Sequence, residues 1–241
     1  MKANPEGYLP YLLEIRRRLL STIFIFVLAS LAGFIFYEHI ITLTLNFFHL
    51  QGVNIVFTTP FQFFTLALNC ALVVGVITII PVLLFQVMSF LKPALTPKEY
   101  RLILTSLPVA LILFTFGFIY GVAIMKYVVQ LFYQSSIKLQ IGNILDIEKF
   151  LSQVLITGLL MGVAFLFPIV MTVIMQLKIV PLSLFTQGRS IAYIIGIIFV
   201  IFLPPPDLIS DVILFAPLVV LYELTLILNR YLLNNPSYVR R

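Results

Sequence analysis

Charged residues are scarce in this sequence. Asp, Glu, Lys and Arg make up 10% of its 241 residues, whereas a soluble domain averages about 25%. Hydrophobic residues make up 61%, and a water-soluble fold cannot bury that much apolar surface. The composition therefore predicts a protein embedded in a lipid bilayer.

Nucleophiles and metal ligands are also few. The single cysteine, Cys70, lies in an apolar run, so it cannot form an intramolecular disulfide and is interpreted as a small apolar residue. The two histidines, His39 and His49, fall in one predicted loop, and the chain has no HExxH, GxSxG or phosphate-binding glycine motif. These absences argue against an enzyme and against a bound metal or other cofactor.

Long hydrophobic runs, by contrast, fill most of the chain. A bilayer core about 30 Å thick requires about 20 apolar residues per spanning helix, and six runs approach that length. They lack the polar alternation of barrel strands, and only helices satisfy their own backbone hydrogen bonds in lipid. We predict one all-α membrane domain over residues 1–241, with six transmembrane helices at about 19–37, 63–91, 102–125, 150–177, 191–203 and 208–228.

The amino-terminal segment at about residues 8–18 is predicted to be an amphipathic helix that leads into the first span. Leu12, Ile15 and Leu19 recur there at helical spacing, with the charges on the opposite face. An even number of spans puts both termini on one side, and that side holds twelve of the fifteen Lys and Arg residues. Because basic residues are retained in the cytoplasm, we expect both termini to be cytoplasmic. The net charge of +6 then reflects topology and attraction to anionic lipid, with no indication of nucleic acid.

Prolines and acids mark the interior of the predicted bundle. Four spans contain a proline that bends its helix, and together they predict a concave, glove-like wall. Acids at membrane depth are functional candidates, because burying a charge is costly. The prolines are Pro81, Pro108, Pro168 and Pro217, and the acids are Asp207, Asp211 and Glu223.

The cytoplasmic acids also allow a simpler interpretation. Glu14 is placed for an i,i+4 pair with Arg18, worth a few tenths of a kcal/mol, and Glu99 suits an ordinary solvated turn. For Glu223 the only nearby basic residue in sequence is Arg230, two helical turns on. Sequence physics alone leaves these alternatives open.

Four segments, in order along the chain, resemble signatures of the TatC family, the multi-span subunit of the twin-arginine protein translocase. The segments are "YLLEIRRRLL", "TTPF", "IPVLLFQVMSFLKPALTPKEYR" and "PPDLISDVILFAPLVVLYE". The positions that match the family are Glu14, Arg16, Pro60, Pro81, Gln86, Phe90, Pro93, Leu95, Glu99, Asp207, Pro217 and Glu223.

The resemblance implies a receptor for signal peptides with paired arginines, which exports folded proteins using the proton motive force. It implies that Glu14 and Glu99 recognise the arginines, since carboxylates and guanidinium groups form bidentate bonds that lysine cannot reproduce. The supporting cytoplasmic residues would be Arg16, Phe90, Pro93 and Leu95. The contacts with single-span TatA-type and TatB-type partners would be made by Asp207, Glu223 and Gln86.

By the same resemblance we expect Pro60 to mark the outer loop, the chain to self-associate among membrane lipids, and the location to be a bacterial inner membrane. The sequence departs from the family at Leu166 and Gln62, where relatives commonly carry glutamate. The rival hypothesis is a small proton-coupled carrier with Asp207, Asp211 and Glu223 as a relay, but the repeated halves typical of carriers are absent from the sequence.

Overall fold

The computed structural model describes residues 9–48, 54–56, 58–91, 95–138, 144–205 and 207–234. Within these residues the chain forms helices joined by short connections, with two three-residue strands. In chain order the elements are α1 (Leu9–Ile35), α2 (Tyr37–Phe48), β1 (Asn54–Val56), α3 (Gln62–Leu91), α4 (Pro97–Lys138), β2 (Ile144–Asp146), α5 (Ile147–Ala164), α6 (Phe167–Gln176), α7 (Leu182–Gln187), α8 (Arg189–Ile201) and α9 (Leu208–Asn234).

Five helical segments are long and apolar enough to cross a membrane, which confirms the predicted helical membrane fold. They are Leu13–Ile35, Gln62–Val87, Ile103–Gln134, Ile147–Gln176 and Leu208–Tyr231. Helix α8 is apolar but has 13 residues, about 20 Å at 1.5 Å per residue. Because that is shorter than the bilayer core, the sixth span stays a prediction. The sidedness of the two termini, which lie outside the described residues, also stays a prediction.

Helix boundaries differ from the predicted spans in three places. The amphipathic segment and the first span form one continuous helix, α1. Helix α4 continues past Met125 to Lys138, because Met125 and Val128 are buried and the extension therefore packs against the bundle. The fourth span is divided into α5 and α6, and Pro168 lies in the first turn of α6, where its missing N–H costs nothing. The other three prolines lie inside α3, α4 and α9.

Glycines allow α4 and α5 to touch backbone to backbone. A Cβ added at Gly121 would lie 2.9 Å from Gly158 Cα, and one added at Gly117 would lie 2.6 Å from the Met161 carbonyl oxygen. Gly162 packs against Phe114 in the same interface. Each helix thus carries a GxxxG pattern, which favours close helix association in lipid.

A small joint closes one end of the bundle and was not predicted from the sequence. Strands β1 and β2 pair in parallel, with Asn54 opposite Ile144 and Val56 opposite Asp146. Asp146 Oδ2 accepts hydrogen bonds of 2.8 Å from Thr58 Oγ1 and 2.8 Å from Gln62 Nε2. This joint fixes the start of α3 against the start of α5.

Asp146 also caps α5, accepting a bond of 3.2 Å from the Lys149 N–H. Partial burial pushes the pKa of Asp146 upward, but the hydrogen bonds from Thr58, Lys149 and Gln62 and the Lys149 charge outweigh it, so the pKa lies below its usual value. An N-cap at Asp146 is what the sequence predicts, because the residue directly precedes an apolar helical run.

Candidate functional site

Helices α1 and α3 pack antiparallel, and their register locates the amino-terminal acid. Gly33 lies against Val74, and Thr22 Oγ1 donates 2.7 Å to Gln86 Oε1. One turn before Thr22, Arg18 donates 2.9 Å from Nη1 to the Gln86 carbonyl oxygen. Continued by one further turn, the same register sets Glu14 level with the last turn of α3.

Glu14 forms an ion pair within its own helix. Arg18 Nη2 and Nε lie 2.5 Å and 3.1 Å from Glu14 Oε1. The local i,i+4 pair that the sequence offered as an interpretation is therefore present. The Glu14 side chain remains 45% exposed, so it is still accessible to a ligand.

Glu99 lies in the first turn of α4, two residues after the helix begins at Pro97. A carboxylate in the first turn of a helix is stabilised by the helix dipole. The start of α4 and the end of α3 are at the same end of the bundle as Glu14. The side chain of Glu99 is outside the described residues, so convergence of the two carboxylates stays a prediction.

Three of the four residues expected to support this site lie at that end of the bundle. Arg16 is exposed on α1 and Leu95 is half-buried just before α4. Phe90 belongs to the last turn of α3, but its side chain is outside the described residues, as is the whole of Pro93. The backbone positions of Arg16, Phe90 and Leu95 therefore share one end of the bundle, and the cytoplasmic location of that end stays a prediction.

Glu223 has partners that the sequence did not reveal. Its Oε2 lies 3.4 Å from Arg189 Nη2, and its Oε1 accepts 2.6 Å from the Tyr193 hydroxyl. Both partners lie on α8, which packs beside α9. Arg230, the only basic residue near Glu223 in sequence, is exposed, and Glu223 pairs across helices with Arg189 instead.

Asp207 caps α9 at the end of the turn that joins α8 to α9, which is called the hairpin below. Its carboxylate accepts 2.8 Å from the Ser210 N–H and 2.5 Å from the Ser210 hydroxyl. Ser210 is fully buried, and the hairpin is tied to α5 by a hydrogen bond from the Thr157 hydroxyl to the Pro204 carbonyl. The turn is thus packed around Ser210.

The same geometry disfavours a proton relay. Asp211 and Glu223 are separated by 12 positions on α9, about 18 Å along the helix axis. Asp211 Oδ1 is buried without a hydrogen-bond partner among the described residues. Direct proton transfer requires groups within hydrogen-bond reach or one water apart, and these acids do not meet that condition.

The two positions that depart from the family pattern fit their surroundings. Leu166 lies between α5 and α6, half-buried against the apolar cluster that contains Cys70 and Phe114. Gln62 is buried and gives its amide hydrogens to Thr58 Oγ1 and Asp146 Oδ2. Pro60 is exposed in the turn just before α3, and its location in an outer loop stays a prediction.

An apolar cleft of about 560 Å³ is lined mainly by residues of α6, α7, α8 and α9. Aromatic side chains dominate its walls, and Tyr193, which bonds Glu223, lies at its edge. No sequence motif pointed to this cleft, because its lining comes from several helices that are separate in sequence. The aromatic lining residues are Phe167, Phe185, Tyr193, Phe199, Phe215 and Tyr222.

Comparison with known proteins agrees with the sequence signatures. The family model described as Sec-independent protein translocase protein (TatC) matches residues 10–217. The chain is 28% identical to TatCy of Bacillus subtilis (strain 168), over 95% of this chain and 91% of that protein. It is 25% identical to TatC of Carboxydothermus hydrogenoformans, over 96% of each chain.

Solved structures agree with this comparison. A crystal structure described as the twin arginine translocase receptor TatC superposes with a TM-score of 0.77 at 26% identity, covering 91% of this chain and 98% of that one. A second, in DDM, gives a TM-score of 0.79 at 25% identity and covers 90% and 98%. With a family match over most of its length, this chain belongs to the TatC family of multi-pass membrane proteins and is a subunit of a Sec-independent protein translocase.

Proposed function

We propose that this chain is the receptor subunit of a twin-arginine translocase and binds signal peptides through paired carboxylates at its cytoplasmic face. The observation that carries the proposal is the shared location of Glu14 and of the backbone of Glu99 at one end of the bundle. Both belong to segments that match the family. The two solved structures that the fold resembles are described as receptors of this kind.

The chemistry of the site suits a pair of arginines. Each guanidinium is planar and offers a fork of donors that matches a carboxylate, while a lysine ammonium offers one compact charge. Hydrogen bonds to charged groups contribute about 1.5–3 kcal/mol each. Two carboxylates at one surface therefore provide both affinity and a preference for arginine.

The same proposal extends to transport. The protein exports folded cargo from the cytoplasm, lies in the bacterial inner membrane, and works with single-span TatA-type and TatB-type subunits and with other copies of itself. Transport uses the proton motive force. Glu223, Asp207 and Gln86 are the proposed contacts for the single-span subunits.

Signal-peptide binding by Glu14→Gln and Glu99→Gln variants tests the receptor role. Each change should weaken binding of a paired-arginine peptide to membranes containing the protein by about tenfold or more, since about 1.4 kcal/mol corresponds to tenfold. A peptide with paired lysines should bind the unaltered protein more weakly than the paired-arginine peptide, by a similar factor.

Glu38→Gln supplies the matched control, because it removes the same charge from an exposed residue in the first turn of α2, beyond the end of α1 that is opposite Glu14. Wild-type binding by the inserted Glu14→Gln/Glu99→Gln double variant would refute the receptor site.

A further inference from the structure

Glu14 is already occupied in this structure. Two nitrogen atoms of Arg18 donate to the same oxygen, Glu14 Oε1, at 2.5 Å and 3.1 Å. The third, Nη1, donates 2.9 Å to the Gln86 carbonyl oxygen on α3. The Arg18 side chain is 27% exposed, so it is more enclosed than the carboxylate that it holds.

We propose that Arg18 sets the affinity of the receptor site by competing with the signal peptide for Glu14. The inference rests on the proposed function, because it takes Glu14 as part of the arginine-binding site. A peptide cation that pairs with Glu14 must displace Arg18, because the Arg18 guanidinium already holds Glu14 Oε1 and neutralises the carboxylate. Binding is thus an exchange of one guanidinium for another at the same acid.

The bond to Gln86 allows Arg18 to release Glu14 while its side chain stays anchored on α3. The Gln86 backbone carbonyl accepts Nη1 independently of the carboxylate, so Arg18 keeps one anchor when Glu14 is taken. The Thr22 hydroxyl, bonded at 2.7 Å to Gln86 Oε1, holds α1 against α3 at this level. Exchange therefore needs a change of the Arg18 side chain alone, with the helices in place.

Competition of this kind lowers the affinity of the receptor site for every peptide without altering its preference for arginine over lysine. A carboxylate that is free for a fraction of the time weakens every ligand that needs it by that same fraction. Arg18 should therefore weaken paired-arginine and paired-lysine peptides by an equal factor. An exposed i,i+4 ion pair corresponds to a factor of about two.

The test measures binding of both peptides to the full-length protein in lipid nanodiscs. Arg18→Gln is compared with Arg17→Gln, which removes the same charge from an exposed neighbour that is in neither ion pair formed by the described side chains. We expect Arg18→Gln to bind both peptides about twofold tighter than Arg17→Gln. In a Glu14→Gln background, the two arginine changes should have equal effects.

Two comparisons separate failure of this inference from failure of the receptor proposal. If Glu14→Gln weakens binding but Arg18→Gln binds no tighter than Arg17→Gln, the competitor role is wrong and the receptor site stands. If Glu14→Gln has no effect, both are wrong. If Arg18→Gln fails to insert into the membrane, Arg18→Lys is compared with Arg17→Lys instead, because lysine keeps the positive charge but lacks the forked donors of the guanidinium. Peptide binding by Arg18→Lys that is equal to or weaker than binding by Arg17→Lys overturns the inference.

Discussion

Gly121→Ala tests whether the contact between α4 and α5 holds the bundle together. The added Cβ would lie 2.9 Å from Gly158 Cα and 2.9 Å from the Thr157 carbonyl oxygen. Both neighbours are backbone atoms, so no side-chain rotation can relieve the clash, and the helices must separate. Overpacking of this kind costs about 1–3 kcal/mol.

Gly196→Ala is the matched control in α8. It makes the same chemical change, with the same gain in helix propensity of about 1 kcal/mol, but its Cβ would meet the Phe215 ring edge at 3.0 Å. A ring can turn aside, whereas a backbone cannot. The difference between the two variants therefore isolates the cost of pushing the backbones apart.

Thermal unfolding of both variants in lipid nanodiscs measures that difference. For a protein of this size, about 1 kcal/mol shifts the midpoint by about 2–4 °C, so Gly121→Ala should unfold several degrees below Gly196→Ala. Equal midpoints would contradict a backbone-limited contact. A higher midpoint for Gly121→Ala than for Gly196→Ala would contradict it more strongly, because both variants gain the same helix propensity.

Two other changes address the joint formed by β1 and β2 and the Arg189–Glu223 ion pair. Hydrogen bonds lower the pKa of Asp146, so its ionised carboxylate stabilises the folded protein. This stabilisation should be complete above about pH 4, near the pKa of an aspartate in the unfolded chain, and should decline as acid protonates the carboxyl group of the folded protein. Thermal unfolding measured from pH 7 down to pH 3 should show this loss as a falling midpoint. Asp146→Asn should unfold at a lower temperature than the unaltered protein at pH 7, and its midpoint should change less with pH. Midpoints of the two proteins that fall in parallel with pH would contradict this prediction. Glu223→Gln keeps an acceptor for Tyr193 and loses the charge pair with Arg189, so unfolding should change by less than about 1 kcal/mol. If Glu223 is also a partner contact, capture of the single-span subunits falls while the unfolding midpoint holds, and a large fall in the midpoint would indicate a structural role instead.

Local interactions were predictable from the sequence. The Glu14–Arg18 pair and the Asp146 cap each join residues three or four positions apart, and helical geometry alone brings them together. The apolar runs likewise predicted the long helices, because bilayer thickness fixes their length. Family resemblance added the candidate roles of Glu14 and Glu99.

Contacts between helices were not predictable in the same way. Arg189 meets Glu223 only because α8 folds back beside α9, and Arg18 reaches Gln86 only because of the α1–α3 register. The two short strands depend equally on distant chain segments meeting. One signal was present and overlooked: the GxxxG patterns at Gly117 and Gly158 are visible in the sequence and predict close helix packing.

The unequal packing of the two halves of the bundle has a mechanical consequence. Where α4 and α5 meet at glycine, neither helix can slide or tilt without collision, so this pair acts as a stiff frame. The walls around the α8–α9 cleft are rotatable aromatic rings, fastened near one end by the Arg189–Glu223 contact. A helix or lipid chain that enters the cleft would therefore displace aromatic side chains of α8 and α9, while the α4–α5 contact stays in place.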